Sequence, residues 1–472
     1  MFYKIKNNIY FCIFLFLISM LIRGLFFLEF LVKDENFFVC TDSAEYQGIA
    51  LNIFHGNGIK NHNDVLNFRR LPGYPIFLSL CYKIFDIKIK KALWLQIILS
   101  LFIPILVFCL SLTFFPLNIF LAKIVSVWAT FHIGFLLHSG MIQSDSIFVI
   151  FFLLFLILFF SSFNLFFCKE GFLFLSKRRI FCAGIFLGIS SLIRPVGHYC
   201  MIISLLLFLF SNFDFFQKLK GTIILFSGWF VIVFWWILRN FLLTGFLFFH
   251  TLPGIHFLIY SAAYIDMEVN KCSYSDSKRK LIKKWNCEIL KKQDKYGRKL
   301  TDIESCYLAE NISFDYIKKN ISIFLKHSFL HMFKTCVWPY SLTLLFWDSG
   351  RDSSYYKIMS FFDRVKRFLF PTTSSWKVLF IIYFELLFLL LLNFGFIGFV
   401  IVSFFNKEFF CVLSKVFPFM FLFIFVTLAY GIARLRLSIE PFQAILAFKF
   451  WVLILKRFFK SEISNEKYIK LK

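Results

Sequence analysis

Apolar residues fall in long blocks along this 472-residue chain, parted by short polar loops. A helix that crosses a membrane takes about 20 apolar residues. Blocks of that kind cover 9–31, 92–112, 119–138, 145–167, 221–243, 380–404, 411–430 and 437–456. The block 180–211 is too long for one crossing, and Arg194-Pro195 interrupts it. It divides into two short spans, 180–193 and 196–211. The pattern predicts an all-α polytopic membrane protein with about 10 (10–12) transmembrane helices.

Between the spans, polarity follows other periods. Tyr46, Ile49, Ala50, Ile53 and Phe54 recur at i, i+3, i+4, i+7 and i+8, one face of a helix that Gly56-Asn57-Gly58 ends. A second short helix is expected over 74–85 in RLPGYPIFLSLCYKIFD. Both are too short to cross and are expected along the membrane surface, apolar face down. The only long polar region is 244–379, whose middle, 265–325, reads as helices and loops rich in Lys. The run 328–347 is apolar but holds His331, Lys334 and Pro339, and is placed at the surface. No internal repeat is visible. The chain divides into 1–264, a transmembrane module with its first outer loop at 33–91; 265–377, a mainly helical outer region; and 378–472, further spans and a tail.

Lys and Arg in short loops set orientation. With Lys4 and Lys6 inside, the inner loops carry Lys169, Lys177, Arg178 and Arg179, then Lys218 and Lys220, then Lys407. The tail carries Arg457, Lys460, Lys467, Lys470 and Lys472. The uncharged loop 113–118 gives no vote. Both ends then lie in the cytoplasm, while 33–91 and 244–379 lie outside. MFYKIKNNIY and the apolar run after it lack a small-residue cleavage site, so the start reads as an uncleaved signal anchor of a cell-membrane protein.

Composition agrees with that class: 59% of residues are hydrophobic, and mean hydropathy is +0.75. The 75 Phe residues, with abundant Lys, read as the codon choice of an AT-rich genome. The net charge of +25 points to anionic lipids or phosphate ligands rather than nucleic acid. Zinc-finger spacing, Walker A, GxGxxG and HExxH are missing from the sequence. The 12 Cys residues include no CxxC pair. Cys272, Cys287 and Cys306 share one polar loop, where a disulfide is one reading and free thiols the other.

Charge becomes informative where it runs against the positive-inside bias. The topology puts Arg69 and Arg70 outside, just before Tyr74 of PGYP. It puts Arg194, Arg239, Arg434 and Arg436 at outer span ends. One such arginine alone is ordinarily a snorkelling side chain. Four separate places on one face suit an anionic ligand, since Arg binds phosphate bidentately and stays charged in a low dielectric. Asp42, Glu45, Asp145 and Glu440 share that face. A carboxylate takes the proton of an incoming hydroxyl, and arginines hold a departing phosphate. A plainer reading competes. With Asp42 as N-cap, Glu45 is N3 of a capping box, and Asp145 also stands where a cap would. His327 and His331 share one helical face, where two histidines suit a metal and interfacial side chains are the ordinary reading. The sequons at Asn311 and Asn320 are common by chance.

At these residues the sequence resembles integral-membrane glycosyltransferases of the GT-C fold. More narrowly, it resembles the branch with protein O-mannosyltransferases, the lipid A aminoarabinose transferase and transferases of lipopolysaccharide cores. The matching pieces, in family order, are TDSAEYQGIALNIFHGNG, RLPGYPIFLSLCYKIF, HSGMIQSDSIF, GIFLGISSLIRP, WWILRNFLLTG and ARLRLSIEPFQAILA, from residue 41 to about 447. The resemblance implies an inverting transfer of a hexosyl or pentosyl group from a polyprenyl-phosphate donor to a lipid, glycan or protein acceptor on the non-cytoplasmic face. Asp42 matches the family's acid in the first outer loop, the base or acceptor-orienting group, and Asp145 a second acid. Arg194, Arg239 and Arg434 match basic positions toward the donor phosphate. Glu45, Arg69, Arg70, Tyr74 and Arg436 complete the expected substrate-binding set. No cofactor is specified, though a divalent cation is compatible with the family. The chain departs from the aminoarabinose transferase in having Arg69-Arg70-Leu71 before Pro72, where that enzyme has an acid and a lysine. Transfer of the same sugar, and a metal site using that acid, do not carry over.

Two other functions fit the same features. A flippase or transporter of lipid-linked glycans should carry charges at mid-membrane, where this chain has chiefly Arg23 and Glu385. A polysaccharide polymerase or ligase would fit a large outer loop but leave the acid-led surface helix unexplained.

Overall fold

The computed structural model describes residues 6–30, 39, 42–61, 65–162, 176–211, 213–341, 344, 376–426 and 431–469. Lys4, Lys169, the end of the expected span 145–167 and most of 345–377 lie outside them. Within the described residues the chain is all helical, with a single isolated bridge between Lys60 and Leu66.

The chain opens with α1 (Ile9–Phe30). The two short helices expected in the first loop follow as α2 (Ser43–Phe54) and α3 (Gly73–Phe85). Tyr46, Ile49 and Ala50 of the expected apolar face are buried. Gly56 and Gly58 close α2 at φ +80° and +82°, a region open to glycine. The expected span 92–112 is two helices, α4 (Ile89–Ser100) and α5 (Ile103–Phe114), which together make one apolar length. The span 119–138 bends by 48° between α6 (Ile119–Phe131) and α7 (Ile133–Ser139). Then come α8 (Asp145–Ser161), α9 (Lys177–Ile193), α10 (Pro195–Leu209) and α11 (Phe215–Thr244). Among the described residues, five helical lengths are long and apolar enough to cross a membrane, or six with the bent pair, and α8 and α10 are shorter apolar helices. This makes the chain an integral membrane protein of multiple spans.

The core lies along α8, which is apolar all round. Phe148, Phe152, Phe155 and Phe159 are fully buried on it. A helix with no polar face lies against other helices or lipid, and the buried phenylalanines of α8 place it among helices. Against it, α9 crosses α11 through Gly184 and Gly228, where a methyl group at either would strike the facing backbone. Small residues allow this close approach. Gly73 has a similar role: a side chain there would meet the Leu192 carbonyl at 2.7 Å. It lets α3 begin beside the end of α9.

The polar region forms α12 (Leu252–His256), a π turn (Phe257–Ala262), α13 (Ala263–Asn270), α14 (Tyr274–Tyr296) and α15 (Asp302–Lys319). These helices share a small core of Leu258, Ala262, Ala263, Leu281, Ala309 and Ile312. Thr301 and Glu304 form a reciprocal capping box at the start of α15. α16 (Ile321–Val337) follows. The chain ends with α17 (Trp376–Ser403), α18 (Lys407–Val426), a 3-10 turn (Ala433–Arg436) and α19 (Glu440–Ile469). Cys272, Cys287 and Cys306 are free thiols.

Candidate active site: an alternating ladder of carboxylates and arginines

Asp42 sits at the N-cap of α2, as the capping reading requires, but its side chain makes no cap hydrogen bond. Its carboxylate turns to two guanidinium groups instead. Arg70 Nη2 donates to Oδ1 at 2.7 Å and Arg434 Nη1 to Oδ2 at 3.0 Å. Glu45, one turn on, accepts from Arg70 Nε and lies 3.4 Å from Arg69 Nη1. Asp145 opens α8 with its side chain fully buried. It pairs with Arg194 Nη1 and stands 2.8 Å from Arg434 Nε. The positive end of the α8 dipole also favours its charge.

The order is Arg194, Asp145, Arg434, Asp42, Arg70, Glu45, Arg69. Four arginines alternate with three carboxylates, and each carboxylate touches two arginines. Formal charge is therefore +1 over the ladder, with Arg194 and Arg69 as its single-partner ends. Burial alone would raise the Asp42 pKa, but Arg434 and Arg70 outweigh it and hold the carboxyl at about 2. For Arg70, burial opposes the charge, while the nearby Tyr46, Asp42 and Glu45 more than restore it and move its pKa upward.

Local structure explains how these residues meet. Arg194 is extended, φ −139° and ψ 140°, because Pro195 follows it and α9 cannot continue. The break swings its guanidinium to Asp145 and over the Phe148 ring, 5.7 Å from the centroid. Ser43 Oγ donates to the Ile142 carbonyl at 3.1 Å, tying α2 to the turn before α8. Tyr74 is fully buried, donates to Gln96 Oε1 at 2.9 Å and meets the Tyr46 ring edge-on at 5.0 Å. Gln96 Nε2 then donates to the carbonyls of Ser139 and Met141. Tyr74 thus braces the site from below, and Gln96 is a brace that reading the sequence missed.

Two expected ligand-facing arginines are engaged elsewhere. Arg239 donates to the carbonyls of Asn67 and Ile59 and lies over Phe68 and Trp236, so it holds the first loop in shape. Arg436 is 2% exposed. Its Nε donates to Glu440 Oε1 at 2.6 Å, and its Nη1 to the carbonyls of Thr335 and Trp338. Glu440 also takes Tyr340 Oη at 2.8 Å and pairs with His132 Nε2 at 3.0 Å. Glu385 accepts from the backbone N–H groups of Tyr340 and Ser341. This enclosed network pins the turn that carries Arg434. Its members His132, Tyr340 and Glu440 are far apart in sequence, and only Glu440 had drawn notice for its charge.

Arg23 is buried and donates to Ser100 Oγ at 2.9 Å. Arg23 and Glu385, the charges that the sequence places within spans, are both buried and hydrogen-bonded inside the protein. His327 pairs with Glu268 at 2.5 Å. Among the described residues, no group of three or more His, Cys, Asp or Glu stands ready to hold a metal. Arg434 occupies the place between Asp42 and Asp145 where a cation would bridge them. The donor set does not suit a divalent cation.

The fold has solved counterparts. The archaeal oligosaccharyltransferase AglB from Archaeoglobus fulgidus, in complex with an inhibitory peptide and a dolichol-phosphate, superposes with TM-score 0.52 at 12% identity over 99% of this chain. The chain spans about half the length of AglB, 52% of it. ArnT from Cupriavidus metallidurans is similar at lower scores. The apo form gives TM-score 0.36 at 10% identity, over 90% of this chain and 77% of ArnT. The form bound to undecaprenyl phosphate gives 0.40 at 8%, over 95% and 77%. AglB and ArnT are GT-C fold membrane glycosyltransferases, and the likeness runs across the chain. No protein-family model and no curated protein matches the sequence.

Proposed function

We propose that the chain is a glycosyltransferase that moves a sugar, with inversion, from a polyprenyl-phosphate donor to an acceptor hydroxyl on the non-cytoplasmic membrane face. The observation that carries this is Asp42, held between Arg70 and Arg434 in a ladder that ends, beyond Asp145, in Arg194. The fold it shares with AglB, a protein solved with a dolichol-phosphate, supports the donor class.

The acceptor oxygen attacks the anomeric carbon from the side opposite the phosphate. The bond from that carbon to the phosphate oxygen breaks, and its electron pair leaves on the polyprenyl phosphate. The acceptor proton passes to Asp42. Arg434 and Arg194 neutralise the leaving phosphate. At a pKa of about 2, Asp42 is a weak base. A donor phosphate that draws Arg434 to itself loosens one of the two bonds that hold Asp42 so acidic. Donor binding therefore readies the base, which puts the donor first in the order of addition. The shorter helices α8, α9 and α10, with α19, complete about ten spans with both termini inside.

The test is transfer from radiolabelled polyprenyl-phosphate sugars by membranes carrying wild type or Asp42→Asn. Product from wild type and not from the variant supports the reading. Equal product from both removes Asp42 from the mechanism.

A further inference from the structure

Beside Glu45 and Arg69 the ladder borders a partly open cavity of about 260 Å³. One wall belongs to the first loop, with Glu45, Asn67 and Arg69; the other belongs to the polar helices, with Trp285, Asp302 and Ser305. Its electrostatics differ from its setting. α14 carries Lys278, Arg279, Lys280, Lys283, Lys284, Lys291, Lys292 and Lys295, yet among the described residues that helix lends the cavity only Trp285. Arg69 and Arg70 are balanced there by Glu45 and Asp302, so the lining has no formal net charge. A phosphate seat would gather those lysines instead. The indole is fixed, since Trp285 Nε1 donates to the Ser305 carbonyl at 2.8 Å. The volume lies just under the ~300 Å³ at which drug-sized ligand clefts begin. It holds one ring unit rather than a stretch of chain.

An aromatic side chain flanked by carboxylates and an amide suits a sugar ring. The ring's C–H face packs on the indole, and its hydroxyls donate to Glu45 and Asp302. We infer that this cavity seats the acceptor, and that the acceptor is a neutral sugar residue of a glycan. The inference rests on the transferase reading. Asp42 lies outside the lining but shares Arg70 with Glu45, so a sugar held at Glu45 sits one guanidinium away from Asp42, and under this inference one of its hydroxyls reaches that carboxylate. That hydroxyl loses its proton to Asp42 as its oxygen bonds to the donor sugar and the phosphate departs.

Cys306 lines the cavity and reports its occupancy, while Cys287 on α14 is exposed and outside the lining. The full-length protein in lipid nanodiscs is treated with methyl methanethiosulfonate, and modification is read at each cysteine by mass spectrometry. The probes are methyl glycosides of glucose, galactose, mannose and N-acetylglucosamine, a serine tripeptide and inorganic phosphate. At about ten times its Kd, a binding glycoside slows Cys306 about tenfold, because only the empty fraction reacts. Cys287 keeps its rate, and Ser305→Trp, which fills the space, abolishes the effect of the glycoside. Protection by the tripeptide or by phosphate in place of a glycoside overturns the inference, as does no protection by any glycoside. A wild type that never cleaves a polyprenyl-phosphate sugar sinks the transferase reading alone, because the Cys306 result does not need turnover.

Discussion

Arg434 and Arg436 lie two residues apart in one 3-10 turn and end in opposite kinds of surroundings. Arg434 joins a ladder in which every carboxylate touches two arginines, and Asp42 within it keeps a side chain 20% exposed. Arg436 is sealed in, bonded through Nε to the Glu440 carboxylate and through Nη1 to two backbone carbonyls. In the first region Arg434 or Asp42 can change partners while every other charge of the ladder keeps one. In the second, loss of Glu440 leaves the Arg436 charge in the protein interior without the carboxylate it is bonded to. Under the proposed function, the first region rearranges around the donor phosphate, and the second holds its neighbour still.

Four experiments try that contrast, the largest effect first. Asp42→Asn removes the base but keeps Arg70 and Arg434 in place, so kcat should fall by ~10²–10⁴ with the melting temperature preserved. Intact turnover would break the assignment. Glu440→Gln should do the reverse in kind, costing ~3–5 kcal/mol of stability by stranding Arg436. Thermal unfolding in one detergent measures it, and an unchanged melting point would mean the network is not a support. Arg434→Gln should cost ~10²–10³ in kcat/KM, as loss of one charge-stabilising donor does. The protein should melt like wild type, since Asp42 keeps Arg70 and Asp145 keeps Arg194.

The smallest effect is on pH. The Asp42 carboxyl, held at about 2, titrates below the ordinary carboxylate value of about 3.9. Its ionic hold is therefore complete above about pH 4 and is lost as pH falls through about 2. Without Arg434 one opposing charge is gone, and the titration should move up by about one unit. Carboxylate infrared difference spectra, with Asp42→Asn as the blank, would show it. A titration that stays put would remove Arg434 from the cause.

Much of this was legible beforehand, and the losses are instructive. Helices α2 and α3 follow from periodicity and from glycine placement. Asp42, Glu45, Arg70, Arg194, Arg434 and Asp145 come from five stretches of chain, and the structure brings them within bonding distance. Position along the chain could not separate Arg434 from Arg436, although the family resemblance matched Arg434 to a donor-facing position. Both stand in one short run, and only the turn's geometry decides which guanidinium faces inward. Nor could spacing decide between capping and catalysis for Asp42. The pattern D-x-x-E is the same in both cases, whereas the fold leaves the cap bond unmade and turns the carboxylate to residues 28 and 392 positions away. The span 119–138 also reads as one apolar run, although His132 bends it and its ring goes to Glu440.

The 392-residue separation of Asp42 and Arg434 also sets a clock. At ~5–20 residues per second, about 20–80 s of synthesis pass between the two residues. Through that interval Asp42 has been made and the arginine that restrains it has not. The ladder can close only when the 3-10 turn settles between α18 and α19, so a nascent chain stalled before that turn would carry the Asp42 carboxylate without the Arg434 restraint.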